Sequence, residues 1–259
     1  SQTDLLNRLD EYLQSQYAAY ERLLNPQNRG TIGFVKCIYH QRFVSSFTAA
    51  YETLRHRLEF LDGILNRDRD AVRRVAEKIL EGEEELDEED YIEEMEELLS
   101  RSGVAGMIDR ERVALTQLLD ALTQYAPGCK GMSDPKMTKV YEVLSELLGE
   151  GRKVLVFSKY VDTIRALHGY LREHGMSSAE IALYTGEGGE IYDPLSGNYY
   201  IVAKEDVRKA LEGPIIRVLL CTDAASEGLN LQAASAVINV DMPLNPARVE
   251  QRIGRVDRL

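Results

Sequence analysis

Residues 153–158, with the sequence Lys-Val-Leu-Val-Phe-Ser, form a short apolar run that is biased towards β-branched side chains. A run of this length and composition predicts a strand buried on both faces of a parallel sheet. Helical patterns separate it from three more runs of the same kind, at 181–184, 217–221 and 236–240. This alternation of strand and helix predicts an α/β fold with a doubly wound, mainly parallel sheet.

Residues 186–202 do not fit a minimal strand–helix unit. Aromatic and β-branched residues flank a turn made by Asp193-Pro194 and Gly197-Asn198, and this predicts an inserted β-hairpin at the edge of the sheet. A family-specific surface loop is the simplest interpretation of the insertion. Stacking of Tyr192, Tyr199 and Tyr200 on nucleic-acid bases is a second hypothesis.

The N-terminal half is predicted to be all-helical, because apolar side chains recur there every three or four residues. One stripe passes from Leu6 to Leu24 and a second from Phe43 to Leu65, with Arg57 off the apolar face of the second. A break begins at Pro127. We therefore predict two domains, a helical region at 1–129 that precedes an α/β lobe at 130–259.

The segment 81–97 is nearly continuous Asp and Glu. A solvated helix or mobile linker is the favoured interpretation, and an acidic arm that mimics nucleic acid or binds a basic partner is the alternative. The net charge is −12, with 15 Lys and Arg against 25 Asp and Glu in residues 1–129 and 16 against 18 in the remainder. Overall charge therefore gives no sign of nucleic-acid binding, and any such contact has to be local.

The sequence also limits where the protein works. It has no apolar run near the roughly 20 residues of a membrane span, and Ser1–Asp10 is too polar for a signal peptide. The cysteines Cys37, Cys129 and Cys221 lack pairing or metal-ligand spacing, which is typical of packed, reduced thiols in an intracellular protein. The four histidines have no partner spacing either, so we predict no metal site.

A short arginine-rich helix is predicted from Pro246 to Arg258, with proline in its first turn. Arg255 and Arg258 are three residues apart and share one face, with Gln251 and Arg252 on the same side; Gly254 permits close approach of another surface. Such a face can present guanidinium groups to a triphosphate. Alone, the pattern is equally typical of a solvated or salt-bridged helix.

The order of the preceding segments makes the pattern specific. Ser158 ends the first strand, Thr-Asp-Ala-Ala-Ser-Glu-Gly-Leu-Asn-Leu at 222–231 follows a second, and Asp-Met-Pro-Leu-Asn-Pro at 241–246 follows a third. With Gln251–Arg258, these segments resemble motifs IV, V, Va and VI of superfamily-two helicases, in that order. The resemblance covers residues 134–259 and is greatest to the Swi/Snf-like branch and its bacterial RNA-polymerase-recycling translocases. It implies a RecA-like lobe.

The resemblance also implies roles for individual residues. Arg255 and Arg258 would be arginine fingers that reach the γ-phosphate of ATP, with Gln251 and Gly254 beside them. Gly228 and Asn230 would couple nucleotide to nucleic acid. Ser158, Lys159 and Thr222 would contact the nucleic-acid backbone, and Asp223 could instead cap a helix or orient an arginine.

The sequence has no phosphate-binding loop with its lysine and no Mg²⁺ box after a strand. We therefore expect a lobe of a longer, cytoplasmic, prokaryotic ATPase whose ATP and Mg²⁺ are held by an N-terminal lobe, with no cofactor bound to this chain and no hydrolysis by it alone. The expected substrate is nucleic acid, with duplex DNA favoured and weakly bound. A non-catalytic module whose acidic half binds a protein partner is the alternative, and a generic nucleotide-binding domain is a weaker one.

Overall fold

The fold is described from a computed structural model. The structure describes residues 2–23, 29–80, 91–93, 95–96, 104–129, 134–223, 231–243 and 246–254. The chain divides into two compact units, Ser1–Ala126 and Pro127–Leu259. The boundary coincides with the change of sequence pattern at Pro127.

Every regular element of the first unit is a helix among the residues described. Its long helices bury apolar faces against one another, as the three-and-four spacing predicts, and residues 91–93 and 95–96 are also helical. The helices are α1 Gln2–Leu23, α2 Arg29–Ser45, α3 Phe47–Leu65, α4 Arg69–Leu80 and α5 Ala105–Leu122.

The second predicted stripe, Phe43 to Leu65, is divided between two helices. Ser46 has extended backbone angles, and its hydroxyl accepts a hydrogen bond from the Ala49 amide at 3.1 Å. A serine in this geometry caps a helix N-terminus, so α3 begins at Phe47 rather than continuing α2. The apolar spacing did not reveal the break because Phe43 and Phe47 remain in phase across it.

Arg57 contradicts the prediction that it lies off the apolar face. Its side chain is only 1% exposed, and its guanidinium donates to both carboxylate oxygens of Glu111, at 2.9 and 3.2 Å. The Tyr12 and Tyr20 hydroxyls donate to the same carboxylate. The Arg57 charge can be buried because Glu111 compensates it, while the two hydroxyls replace water around that carboxylate.

The acidic segment 81–97 lies largely outside the described residues. Within it, Tyr91, Ile92 and Met95 are buried, and Glu96 forms an ion pair with Arg69 at 3.0 Å. The described end of the segment is therefore helical with a packed apolar face, which agrees with a helix and not with a mobile linker. The hypothesis that the acidic run mimics nucleic acid falls on residues that are not described.

The second unit is built around one six-stranded sheet. Helices α6 Pro135–Gly149, α7 Val161–Glu173, α8 Lys204–Glu212 and α9 Pro246–Gly254 accompany it. The strands are β1 Val154–Ser158, β2 Ile181–Thr185, β3 Gly188–Asp193, β4 Asn198–Val202, β5 Val218–Thr222 and β6 Ala236–Asn239.

The strand order is β4-β3-β2-β5-β1-β6. The four strands predicted from apolar runs pair in parallel, whereas β3 and β4 extend the β2 edge as antiparallel strands. Every residue of β1 and β5 is buried, because apolar clusters cover both faces of the sheet. The predicted α/β fold, with its mainly parallel sheet, inserted hairpin and preceding helical region, is confirmed.

The cysteines differ from the prediction that all three are packed. Cys221 is buried in β5, whereas the Cys37 and Cys129 side chains are exposed. Among the residues described, no helix combines the length and apolarity that a membrane crossing requires.

Candidate ATPase and nucleic-acid site

The candidate site lies at the carboxyl ends of three neighbouring parallel strands. In the order β5-β1-β6, Ser158 is in register with Thr222, and Phe157 with Asn239. The carboxyl edge of a doubly wound sheet is where ligands bind in this class of fold. The sheet therefore brings together the ends of three of the segments that the sequence analysis singled out.

Arg252 attaches helix α9 to this edge. The Arg252 guanidinium is 2% exposed and forms a bidentate ion pair with Asp223, at 2.6 and 2.7 Å. Its Nη1 also donates to the Asn239 side-chain oxygen at 2.7 Å and to the Asp241 carbonyl at 2.9 Å. The guanidinium carbon lies 5.2 Å from the centroid of the Phe157 ring.

These contacts change the interpretation of two residues. Arg252 was placed on the face that presents guanidinium groups to a triphosphate, but its buried, fourfold-bonded group is a structural contact between α9 and the strand ends. For Asp223, the alternative that it orients an arginine is confirmed, with Arg252 as that arginine. Burial raises the pKa of the neighbouring Cys221 thiol, and the Arg252 charge opposes this increase.

Ser158 and Lys159 belong to a second network, around Asp241. The Ser158 hydroxyl is fully buried; it donates to Asp241 Oδ2 at 2.5 Å and accepts from the Tyr160 amide at 3.2 Å. The Lys159 amide also donates to Oδ2, at 3.3 Å, while Lys136 Nζ contacts Oδ1 at 3.2 Å. Lys159 is partly exposed, with its Nζ 5.5 Å from the Tyr160 ring centroid.

Thr222 is 3% exposed, and its hydroxyl has no hydrogen-bond partner among the residues that the structure describes. A buried hydroxyl without a partner is uncommon, because it loses its bonds to water without replacement. The role of Thr222 as a nucleic-acid contact stays a prediction.

The remaining predicted site residues divide into two groups. Gln251 and Gly254 are exposed in the last turn of α9. The predicted fingers Arg255 and Arg258, and the predicted coupling residues Gly228 and Asn230, lie outside the described residues.

The structure of the hairpin gives little support to the hypothesis that its tyrosines stack on nucleic-acid bases. Tyr199 is engaged in packing: its hydroxyl donates to the Ser178 carbonyl at 3.0 Å, and its ring lies edge-on to His168. Tyr192 packs edge-on against Tyr199, which leaves Tyr200 as the half-exposed ring of the three. Residues 175–203 contain no Lys or Arg to neutralise phosphate, so the surface-loop interpretation is favoured.

Two residues of the site carried no role in the sequence analysis, Asn239 and Asp241. Both follow or end β6, and the aspartate stands in a segment that had already been matched to a motif. Their position at the carboxyl end of a predicted parallel strand was a usable signal. Within the described ranges, no group of three or more His, Cys, Asp or Glu could hold a metal ion.

Residues 136–259 match the family described as helicase conserved C-terminal domain. The resemblance of the α/β part of the chain to helicase C-terminal lobes is therefore confirmed. Similar proteins include an uncharacterized ATP-dependent helicase, YqhH, of Bacillus subtilis, 30% identical over 60% of this chain. Another is the RNA polymerase-associated protein RapA of Sodalis glossinidius, 35% identical over 49% of the chain.

The chain spans 23% of the length of the Bacillus protein and 12% of the Sodalis protein. Among solved structures, it is similar to the C-terminal part of the Fun30 ATPase domain, with a TM-score of 0.41 and 18% identity over 74% of this chain and 57% of that one. The Pyrococcus furiosus Hef helicase domain gives a TM-score of 0.48 and 14% identity, over 97% of this chain and 50% of that one. The resemblance to helicase C-terminal lobes rests on the sequence match.

Proposed function

We propose that the chain is the C-terminal motor lobe of an ATP-dependent translocase that acts on duplex DNA. In this proposal, Arg255 and Arg258 are arginine fingers that act on ATP and Mg²⁺ held by an N-terminal lobe of the parent protein. Phosphoryl transfer needs positive charge where charge develops on the phosphates. The named helicase relatives support the use of ATP; the duplex substrate comes from the resemblance to the Swi/Snf-like branch.

The observation that carries the proposal is the fixed position of Arg252. A finger accelerates hydrolysis only if its backbone is already held in place, because the free energy of ordering it is then not lost in the transition state. Four hydrogen bonds from the Arg252 guanidinium fix α9 to the ends of β5 and β6. Arg255 is three residues after Arg252 in the sequence, so fixing α9 at Arg252 fixes the chain just before the proposed finger.

The nucleic-acid side of the proposal depends on Ser158, Lys159 and Thr222, which end adjacent strands at the same edge. Residues 130–259 have almost balanced charge, so we expect weak, salt-sensitive binding of duplex DNA by the chain itself. A protein partner is also part of the proposal. RNA polymerase is one candidate, since the relatives include RNA polymerase-associated proteins.

The first test is ATP hydrolysis by the parent protein in the presence of duplex DNA. Arg255→Ala should lower kcat on the order of a thousandfold, which is the effect of removing an arginine finger. Arg255→Lys should recover little, because an ammonium group cannot reproduce the planar fork. Arg152→Ala is the matched control: this exposed arginine precedes β1 at the opposite end of the strands and should leave kcat unchanged.

The second test is hydrolysis by the 259-residue chain alone, which we expect to match a protein-free blank with or without DNA. Robust turnover by the chain would overturn the assignment. If Arg255→Ala in the parent protein retains the wild-type rate of hydrolysis, the result favours the alternative of a non-catalytic interaction module.

A further inference from the structure

We propose that Asp241 is the positioning residue that presents Lys159 to nucleic acid, and that Ser158 acts through Asp241 rather than by touching the backbone itself. This inference rests on the proposed function, because it concerns the same edge of the sheet. It assigns the contact predicted for Ser158 and Lys159 to the Lys159 side chain alone, and it adds Asp241, to which no role had been given.

The first step is the register of β6 against β1. The two strands pair in parallel from Val154 with Ala236 to Phe157 with Asn239, and the Val240 amide donates to the Phe157 carbonyl at 2.8 Å. Backbone pairing between the two strands therefore continues to Val240, the residue before Asp241. This pairing places the Asp241 carboxylate next to Ser158 and Lys159, at the end of β1.

The second step is that the Ser158 hydroxyl is fully engaged within the protein. It has one proton, and that proton is donated to Asp241 Oδ2. The Tyr160 amide occupies one of its lone pairs, and the side chain is fully buried. A hydroxyl in this state cannot donate to a phosphate oxygen without breaking the bond to Asp241. Ser158 therefore ties the end of β1 to that carboxylate.

The third step concerns Lys159. Its main-chain amide donates to the same Oδ2 atom, whereas its side chain is partly exposed at the carboxyl edge of the sheet. Asp241 therefore holds both the Ser158 side chain and the N–H of the Ser158–Lys159 peptide. A lysine whose backbone is fixed loses less conformational entropy when its ammonium group binds a phosphate.

The fourth step separates this role from that of the finger helix. Arg252 bonds to the main-chain carbonyl of Asp241, not to its carboxylate. Shortening the Asp241 side chain therefore leaves in place the atom that Arg252 contacts. The expected defect is in DNA affinity rather than in the turnover number.

The direction in which DNA affinity changes in Asp241→Ala separates a positioning role from an effect of charge alone. Removing an acidic group from a DNA-binding surface strengthens binding if the group acts only through its charge, because it no longer repels phosphate. The positioning role predicts the reverse, since Asp241→Ala frees the Ser158–Lys159 turn. The two explanations thus differ in direction and not merely in size.

The experiment measures binding of a labelled duplex DNA by the parent protein at low salt, together with DNA-stimulated ATP hydrolysis. We expect Asp241→Ala to raise the Kd about tenfold, as when one positioning hydrogen bond to a charged group is lost. The DNA concentration for half-maximal stimulation should rise with the Kd, while kcat at saturating DNA changes much less. Asp206→Ala, which removes an exposed aspartate at the start of α8, is the matched control.

A double-mutant cycle identifies the group through which Asp241 acts. Lys159→Ala should weaken binding by itself, and adding Asp241→Ala should weaken it little further, because the lysine to be positioned is gone. Additive effects would contradict the proposal. If Asp241→Ala does not fold, Asp241→Leu carries the same test, because it fills the space of the carboxylate and has no atom that accepts a hydrogen bond.

The outcomes distinguish this inference from the proposed function. A wild-type protein that binds DNA without hydrolysing ATP overturns the proposed function alone. An Asp241→Ala variant that binds DNA as tightly as wild type, or more tightly, overturns the positioning role alone. A variant that loses kcat in proportion to its folded fraction, with unchanged Kd, shows that Asp241 is merely structural. A wild-type protein that binds no duplex overturns both.

Discussion

Arg252 and Asp223, 29 residues apart in the chain, form a bidentate ion pair in which the guanidinium is almost fully buried. The pair joins the carboxyl end of β5 to helix α9. The same guanidinium bonds to Asn239 and to the Asp241 carbonyl after β6. One side chain thus holds the arginine-bearing helix against two strand ends.

The first prediction follows from that arrangement. Arg252→Ala should lower the free energy of unfolding by about 3–5 kcal/mol, because it leaves the Asp223 carboxylate without its guanidinium partner in a poorly solvated place. Arg252→Lys should recover less than half of the loss, since one ammonium group cannot make four fixed contacts. Urea unfolding followed by circular dichroism measures both effects.

Arg152→Ala is the control for this prediction, because it removes an arginine that is about half exposed. We expect its unfolding curve to overlay that of the wild type, since exposed ion pairs contribute little. Equal stability of Arg252→Ala and Arg152→Ala would show that the buried pair does not hold α9.

A second prediction concerns the buried pair of the helical unit. Glu111→Ala removes the acceptor of Arg57, Tyr12 and Tyr20 together and should cost about 3–5 kcal/mol, because a buried charge is left uncompensated. The double replacement Arg57→Met with Glu111→Leu should recover much of this loss, since no charge then remains buried. Urea titration of the three proteins checks the order.

The contradicting result is a double variant no more stable than Glu111→Ala alone. It would mean that hydrogen bonds from the tyrosine hydroxyls, rather than the ion pair, dominate the free energy of this cluster. Tyr12→Phe then becomes the informative variant, because it removes a single hydroxyl from the carboxylate.

A third prediction tests how the hairpin joins the sheet. A methyl group on Gly189 would collide with the Val207 side chain of α8 and lie 3.1 Å from Val202 Cγ2 of β4. Gly189→Ala should therefore destabilise the α/β unit by about 1–3 kcal/mol, the usual cost of overpacking. Gly186→Ala is the control, because nothing lies within 4 Å of its added methyl group.

Thermal unfolding of the two glycine variants provides the measurement. Equal melting temperatures for Gly189→Ala and wild type would mean that α8 moves away from the hairpin without cost. The comparison is informative because both glycines belong to the same Gly-Glu-Gly-Gly sequence and differ in what surrounds them.

Much of the α/β unit could be predicted because its signals are local. Continuous apolar runs specify strands buried on both faces, and Asp193-Pro194 with Gly197-Asn198 specifies a turn, so β1, β5 and the hairpin followed from a few residues each. The break at Ser46 could not be predicted from spacing, because the apolar period continues across it. A single capping hydrogen bond decides it.

Partners distant in the chain explain what the sequence did not reveal. Arg57 is buried because of Glu111, 54 residues away, and Arg252 because of Asp223. In a helical pattern, an arginine that makes a buried ion pair looks the same as one that faces solvent. Asp241 was overlooked for a related reason, since its role depends on the register of β6 with β1.

The last prediction is a pH dependence of stability. Burial lowers the pKa of His168 to about 4, with the Arg172 and Arg165 charges acting in the same direction and Glu190 opposing them. In the unfolded chain the pKa of histidine is about 6.5. Between these values the unfolded state binds the proton and the folded state does not, so stability falls as pH falls from 6.5 to 4.

His168→Gln removes this contribution while keeping a neutral group beside the Tyr199 hydroxyl, which lies 2.9 Å from His168 Nε2. The wild type should lose stability more steeply than the variant in that window, by at most about 1.4 kcal/mol per pH unit. Urea unfolding at half-unit steps from pH 7.5 to about 4 measures the two slopes. His56, whose pKa burial lowers to about 3, is present in both proteins, so its effect cancels in the comparison. Parallel curves would show that His168 titrates in the folded protein as it does in the unfolded chain.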